Sequence, residues 1–208
     1  MTPEQVEKLF TRSDESYSFA RWSRPIVPIV FGVDDATLST VKGACEAVVT
    51  LAGHKMAETD PEMGANLMIF FFREWEELLQ VPDLDRLVPE LPPLVERLVA
   101  AKANQYRMFR FEKNGAIRAC FLFLRMESEL SELPAEDLAL SQMAQSLLLW
   151  SDRAFTERSP LALTPEGHVV LHPEIAGVIR AAYDPVMPEA ASDASHALRL
   201  AARLGATS

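Results

Sequence analysis

The residue types that do most protein chemistry are sparse in this chain and poorly spaced for it. The histidines are His54, His168, His172 and His196. His168 and His172 are four apart, which on a helix places two imidazoles on one face. Between them, however, Val169-Val170 is β-branched and Pro173 follows, so the segment is predicted to be extended and the two rings not to converge. No His-Glu-x-x-His, Cys-x-x-Cys or His-x-His spacing occurs. Cys45 and Cys120 lie inside apolar periodic segments and read as buried free thiols rather than a disulfide. Nucleophile elbows of the Gly-x-Ser-x-Gly type and glycine-rich phosphate cradles are absent as well. Glu127, Glu129, Glu132, Glu136 and Asp137 crowd one stretch, which reads as a solvated loop with carboxylates at a helix N-terminus. A weak cation site there is the alternative. The weak candidates for a site assembled from distant residues are His54, His168 and Glu127, with Cys120 beside them. No metal and no cofactor is expected.

These residues must be positioned by elements, and the central ones run from Gly115 to Asp152. Ile117 to Arg125 reads as a strand, Glu127 to Asp137 as an acidic loop, and Leu138 to Trp150 as a helix without His, Cys, Asp or Glu. Before them, Gln105 to Glu112 alternates polar and apolar residues, a half-buried strand with Arg107 and Arg110 near its exposed side. Lys113-Asn114-Gly115 then supplies a hairpin turn, because Asn-Gly tolerates the positive φ values a tight turn needs. Ala65 to Arg73 is a continuous apolar run, expected for a central strand covered on both faces. Pro25 to Phe31 is β-branched with two prolines that cannot donate ladder bonds, so it is expected either at a sheet edge or as a strand whose proline nitrogens face away from its partner. Helices are expected over 36–53 behind Asp34 or Asp35, over 94–100, from Pro173 to Tyr183, and after Ser192-Asp193 to Leu204. The last carries Ala194, Leu198, Ala201, Ala202 and Leu204 as its apolar stripe. The phenylalanines between Phe70 and Phe123 are expected in the core. The fold class is α+β, with a mostly antiparallel sheet against helices. The chain divides into an N-terminal helix and linker (1–18), one main domain (19–190) and a C-terminal helix (191–208).

Composition narrows the partners. The 208 residues are 49% hydrophobic and 24% charged, enough apolar material for a sizeable core. Thirty acidic against twenty basic residues disfavour nucleic acid, whose binding rests on Lys and Arg contacts to phosphate. No run approaches a membrane span, and Met1 to Lys8 has no signal-peptide pattern. A cytoplasmic location is expected for the chain as written, or a periplasmic one if a leader preceded it.

Several stretches are similar to one family. Trp22-Ser23-Arg24-Pro25-Ile26 with Phe31-Gly32, Leu51-Ala52-Gly53-His54 and Ala65-Asn66-Leu67 resemble the opening of the bacterial DUF2927 domains. Leu163-Thr164-Pro165-Glu166-Gly167, Ala182-Tyr183-Asp184-Pro185 and Met187-Pro188 resemble their C-terminal portion. The resemblance spans about residues 19 to 190. It implies a zincin-like α+β fold of unassigned function, with zinc ligands on a helix following the sheet. On Leu138 to Trp150 the nearest match to that zinc motif is Ser141-Gln142-Met143-Ala144-Gln145. Both histidines are missing and Gln142 replaces the glutamate base, so the resemblance implies a pseudo-active-site helix rather than a zinc protease.

The leading expectation is a non-catalytic domain that binds a peptide or protein partner, with the Pro25–Phe31 edge as its rim. The alternatives are a hydrolase-type enzyme with a non-motif site and a self-associating structural protein using the C-terminal helix.

Overall fold

The computed structural model describes residues 1–206, and Thr207 and Ser208, the end of the expected C-terminal segment, lie outside them. In chain order the elements are α1 (Pro3–Lys8), β1 (Phe19–Ala20), β2 (Pro28–Phe31), α2 (Asp35–Leu51) and β3 (Leu67–Phe72). A 3-10 turn (Trp75–Gln80), α3 (Leu84–Leu87), α4 (Leu91–Ala100), β4 (Gln105–Phe111) and β5 (Ile117–Arg125) follow. After a second 3-10 turn (Glu129–Glu132) come α5 (Ala135–Ser146), β6 (Leu161–Leu163), β7 (Val169–Leu171), α6 (Pro173–Ala182), β8 (Ala190–Ala191) and α7 (Ser195–Ala206).

The main sheet has the order β2-β3-β5-β4. Here the expected mostly antiparallel sheet is corrected: β2, β3 and β5 are parallel, and β4 alone runs antiparallel, against β5. The physical reason is connectivity. The long helix α2 joins β2 to β3, and such a crossover returns the chain to the same end of the sheet. Only β4 and β5 are joined by a hairpin, closed at Gly115 with φ +87°. The α+β class stands, with β6–β7 and β1–β8 as two small antiparallel ribbons.

Both faces of the main sheet are covered, as the continuous apolar runs require. One face offers Leu67, Ile69, Cys120, Leu122 and Leu124 to the larger core, with α2, α5, α6 and α7. The other offers Phe70, Phe72, Phe121 and Phe123 to Trp75, Leu78, Leu84 and α4. Phe111 departs from the expected core set and is 44% exposed. At the end of β2 the chain turns at Gly32, with φ +81°, where a Cβ would stand 2.0 Å from the Phe71 carbonyl oxygen. Only glycine permits that approach.

The terminal helices join the larger core rather than hanging from it. Val6 of α1, Leu9 and Phe10 just after it, and Ala197 and Leu200 of α7 are all buried in it. Of the expected stripe on the last helix, Ala194, Ala201 and Leu204 pack against the core, while Leu198, 58% exposed, and Ala202 face away and the most buried positions are Ala197 and Leu200. That face packs on α1 and α6 within the chain. The central helix also shifts, to Ala135–Ser146, because Leu147 to Trp150 leave it to meet β1: Leu149 N–H donates to the Ala20 carbonyl at 2.8 Å. Its C-terminal carbonyls, which a helix leaves without partners of its own, are met from outside. Trp22 Nε1 donates to Ser146 O at 2.8 Å, Tyr183 Oη to Leu147 O at 2.9 Å and Trp150 Nε1 to Ala144 O at 3.1 Å. α5 is thus pinned beside the sheet.

Candidate functional site

Both edges of the main sheet are strands with unpaired neighbours, and they differ in length and chemistry. β2 is at one edge, as expected from its prolines, but only four residues long. Its run-in is already covered, since Ile26 bridges Met56. Pro28 removes one donor from what remains. Beside it Phe31, Phe70, Leu78, Val81, Leu84 and Leu87 line an open apolar groove of about 450 Å³.

β4 forms the other edge over seven residues, each at least partly exposed. Arg125 N–H donates to Asn104 O at 2.9 Å, which sets the phase of the antiparallel ladder. By the alternation of such ladders, Tyr106, Met108 and Arg110 bond to β5, while Gln105, Arg107 and Phe109 turn N–H and C=O outward. Among the described residues no backbone or side-chain hydrogen bond meets those outward groups. The edge ends in a register irregularity between Arg110 and Phe111.

The side chains of β4 carry the second feature. Residues 107 and 110 are an odd number apart, so they lie on opposite faces of the sheet. This corrects the expectation that both arginines sit near one exposed side. Arg107 turns inward against α5. Its Nη2 donates to Gln142 Oε1 at 2.6 Å and its Nε to Ser146 Oγ at 3.2 Å. Gln142 Nε2 donates in turn to Gln105 Oε1 at 2.7 Å, and Ser146 Oγ to Gln142 O at 2.8 Å. Gln142 and Ser146 are buried, at 3% and 1% exposure. Burial pulls the Arg107 guanidinium below the usual arginine value, and no carboxylate offsets it. Its Nη1 bonds to nothing among the described residues and is not sealed from solvent. On the opposite face Arg110 Nη2 donates to Leu87 O at 3.0 Å. Neither arginine enters an ion pair among the described residues, whereas Arg24, Arg118, Arg125 and Arg158 all do.

Of Ser141, Gln142 and Gln145 on α5, Gln142 is the one whose hydrogen bonds reach this rim. Gln142 is the partner of Arg107, and Gln145 Nε2 donates to Ser141 Oγ at 3.1 Å, one turn apart on a partly buried strip. The weaker candidates are not brought to it. His54 Nε2 bonds Arg24 O at 2.9 Å and its ring meets Tyr183; burial lowers its pKa. His168 is exposed in the turn between β6 and β7. Glu127 is exposed after β5, where its carboxyl faces Glu74 and raises the pKa of that neighbour. His172 caps α6 by accepting from Glu174 N–H at 3.2 Å. Cys45 and Cys120 are both buried, and burial pushes each thiol up to about 12. Among the described residues no three His, Cys, Asp or Glu side chains form a metal-holding group. Beside Arg107 stand Gln105, Gln142 and Ser146, neutral side chains that offer hydrogen bonds for recognition.

The Arg107 network was not singled out from the sequence. Its signal was there: Arg107 shares the strand phase of Phe109 and Phe111, so a charge fell on a half-buried face. A further crevice of about 360 Å³ opens at the C-terminal ends of β2, β3 and β5, lined by Gly32, Asp34, Thr37, Phe71, Met126 and Leu138. Ligands favour that position in parallel sheets; its polar lining is Asp34, which caps α2 through the Thr37 N–H, with Thr37 and Ser131.

The chain matches no family model, no curated protein and no solved structure. Among the described residues no helix is long and apolar enough to cross a membrane.

Proposed function

We propose that this chain is a non-catalytic domain that binds a protein partner by accepting an extended segment of it as an added strand along β4. The observation that carries the proposal is the open seven-residue edge, with the outward backbone groups of Gln105, Arg107 and Phe109 unpaired beside a fixed helix. Main-chain bonds along such an edge supply affinity and the flanking side chains supply selectivity. β4 replaces the shorter β2 edge as the binding rim. The zincin-like architecture and the DUF2927 resemblance belong to the same proposal. They are supported by a helix that follows the sheet and packs beside its antiparallel edge, with Ser141, Gln142 and Gln145 where a zinc site and its base would need other residues.

Selection of nine-residue peptides from a random display library tests this directly. Phe109→Pro removes one outward N–H and spares the bonds to β5, a position where an edge strand tolerates proline. Peptides enriched by the wild type should lose binding to this variant, and they should slow amide exchange at Gln105, Arg107 and Phe109. Peptides that bind both proteins equally and leave those amides unprotected would refute strand addition.

A further inference from the structure

The segment from Ala101 to Gly115 differs in charge from the rest of the chain. It holds Lys102, Arg107, Arg110 and Lys113 against the single carboxylate Glu112, in a protein of net charge −10. Glu112 is itself engaged by Arg24. The open edge is therefore a cationic strip on an acidic molecule, with Arg107 on the α5 face and Arg110 on the α4 face.

Resting on the strand-addition reading, we infer that the segment accepted by β4 is acidic and carries two carboxylates three residues apart. In an added strand, the residue opposite Arg107 projects its side chain to the α5 face. The residue three positions away, opposite Arg110, projects to the other face. Directly opposite side chains in a paired strand come within about 5 Å at Cβ, so a Glu or Asp at each position reaches a guanidinium. At Arg107 the incoming carboxylate has the unpartnered Nη1 to accept from, while Gln142 and Ser146 hold the other nitrogens in place. That preorganisation favours a charge-assisted bond, because little side-chain freedom remains to be lost. At Arg110 the carbonyl of Leu87 takes one nitrogen and leaves the rest of the guanidinium free.

The same charges argue against a second copy of β4 as the occupant. An inward-facing charge on an edge strand discourages sheet-to-sheet association, and a β4–β4 pair would bring two more arginines to a strip that has no carboxylate to spare. An acidic strand cancels the charge. Single-stranded nucleic acid would satisfy the arginines but not the outward N–H and C=O groups, which only a peptide backbone matches.

Fluorescence anisotropy on the full chain tests the inference with three labelled nine-residue probes of alternating Val and Thr. The first carries Glu at positions 4 and 7, the second Gln at both, and the third Glu at 4 and 6, on one face. The first should bind about tenfold or more tighter than the second, the increment expected of charge-assisted over neutral bonds. It should also beat the third, and lose affinity with added salt. Arg110→Glu, which leaves the Arg107 network intact, should favour over the first probe a variant of it with Lys at one of positions 4 and 7 and Glu at the other, whichever of the two faces residue 110. Equal binding of the Glu and Gln probes, with protected β4 amides, overturns the acidic specificity and leaves strand addition standing. Binding of neither probe, with unprotected amides, overturns both. An oligothymidylate that outcompetes the first probe also overturns the inference.

Discussion

His196 makes the stability of this protein depend on pH in a window whose upper part lies above the ordinary carboxylate range. Its ring is 3% exposed, Nδ1 lies 2.8 Å from Tyr17 Oη, Nε2 is buried without a partner, and Phe19 packs on it at 4.2 Å between centroids. A second proton would place an unpaired charge among aromatic rings. Burial first, and then the nearby Arg199 charge, lower the imidazole pKa from its ordinary 6.5 to about 4. The unfolded chain therefore takes up a proton below about pH 6.5 that the folded chain refuses until about pH 4. Stability is full above that window and falls as pH drops through it. The loss is about 2 kcal/mol by pH 5 and about 3 kcal/mol when complete. That is a large share of the 5–15 kcal/mol typical of a domain. Asp60 does not confound it. Backbone donors, Arg24 and Asn66 hold its carboxyl at about 2, so its contribution is lost only below the ordinary aspartate value. His54 shifts in the same direction as His196, which makes a variant necessary. Tyr17→Phe combined with His196→Phe replaces the hydrogen-bonded pair by apolar rings of similar shape. Urea unfolding of wild type and double variant at pH 7, 6 and 5 should show the variant losing about 2 kcal/mol less over that range. Parallel curves for the two proteins would refute the assignment of the slope to His196.

Three further outcomes are expected. Gln142→Leu strands the Arg107 Nη2 and should cost about 2 kcal/mol in urea unfolding, whereas Ser141→Ala should change stability by about 0.5 kcal/mol or less. Gly32→Ala forces a Cβ against the Phe71 carbonyl at positive φ and should destabilise by more than about 2 kcal/mol, read as a lowered thermal midpoint. Neither Cys45 nor Cys120 should react with a thiol-specific reagent at pH 8 in the native protein, and both should react in denaturant, since burial holds each thiol near 12.

Local chemistry was legible from the sequence wherever a single segment decides its own conformation. The Asn114-Gly115 hairpin, the strand Ile117–Arg125, the doubly covered strand around Ile69 and the edge position of the proline-bearing β2 all follow from turn residues and from period. Strand direction did not follow. Whether β3 meets β5 in parallel depends on where a crossover returns the chain, and an apolar run is the same in either direction. The end of α5 was overestimated for a related reason: Leu147 to Trp150 are good helix formers by pattern, and a backbone bond to Ala20, far away in sequence, draws them out. α7 illustrates the same limit: Ala194, Ala201 and Leu204 of its expected stripe do face the core, but packing on α1 and α6 centres the buried face on Ala197 and Leu200 and leaves Leu198 out.

For function the division is sharper. The sequence by itself determined that no His-Glu-x-x-His spacing occurs, and that the helix before Leu147 carries Ser141, Gln142 and Gln145 rather than histidine or glutamate. Residue identity suffices for that, since a glutamine is no base in any fold. What only the tertiary structure decided is that Gln142 meets Arg107, 35 positions away, beside an edge with no partner. An edge is a property of the whole sheet: a strand is unpaired only when every other strand has been placed. A buried arginine is likewise unpaired only when every carboxylate has been placed.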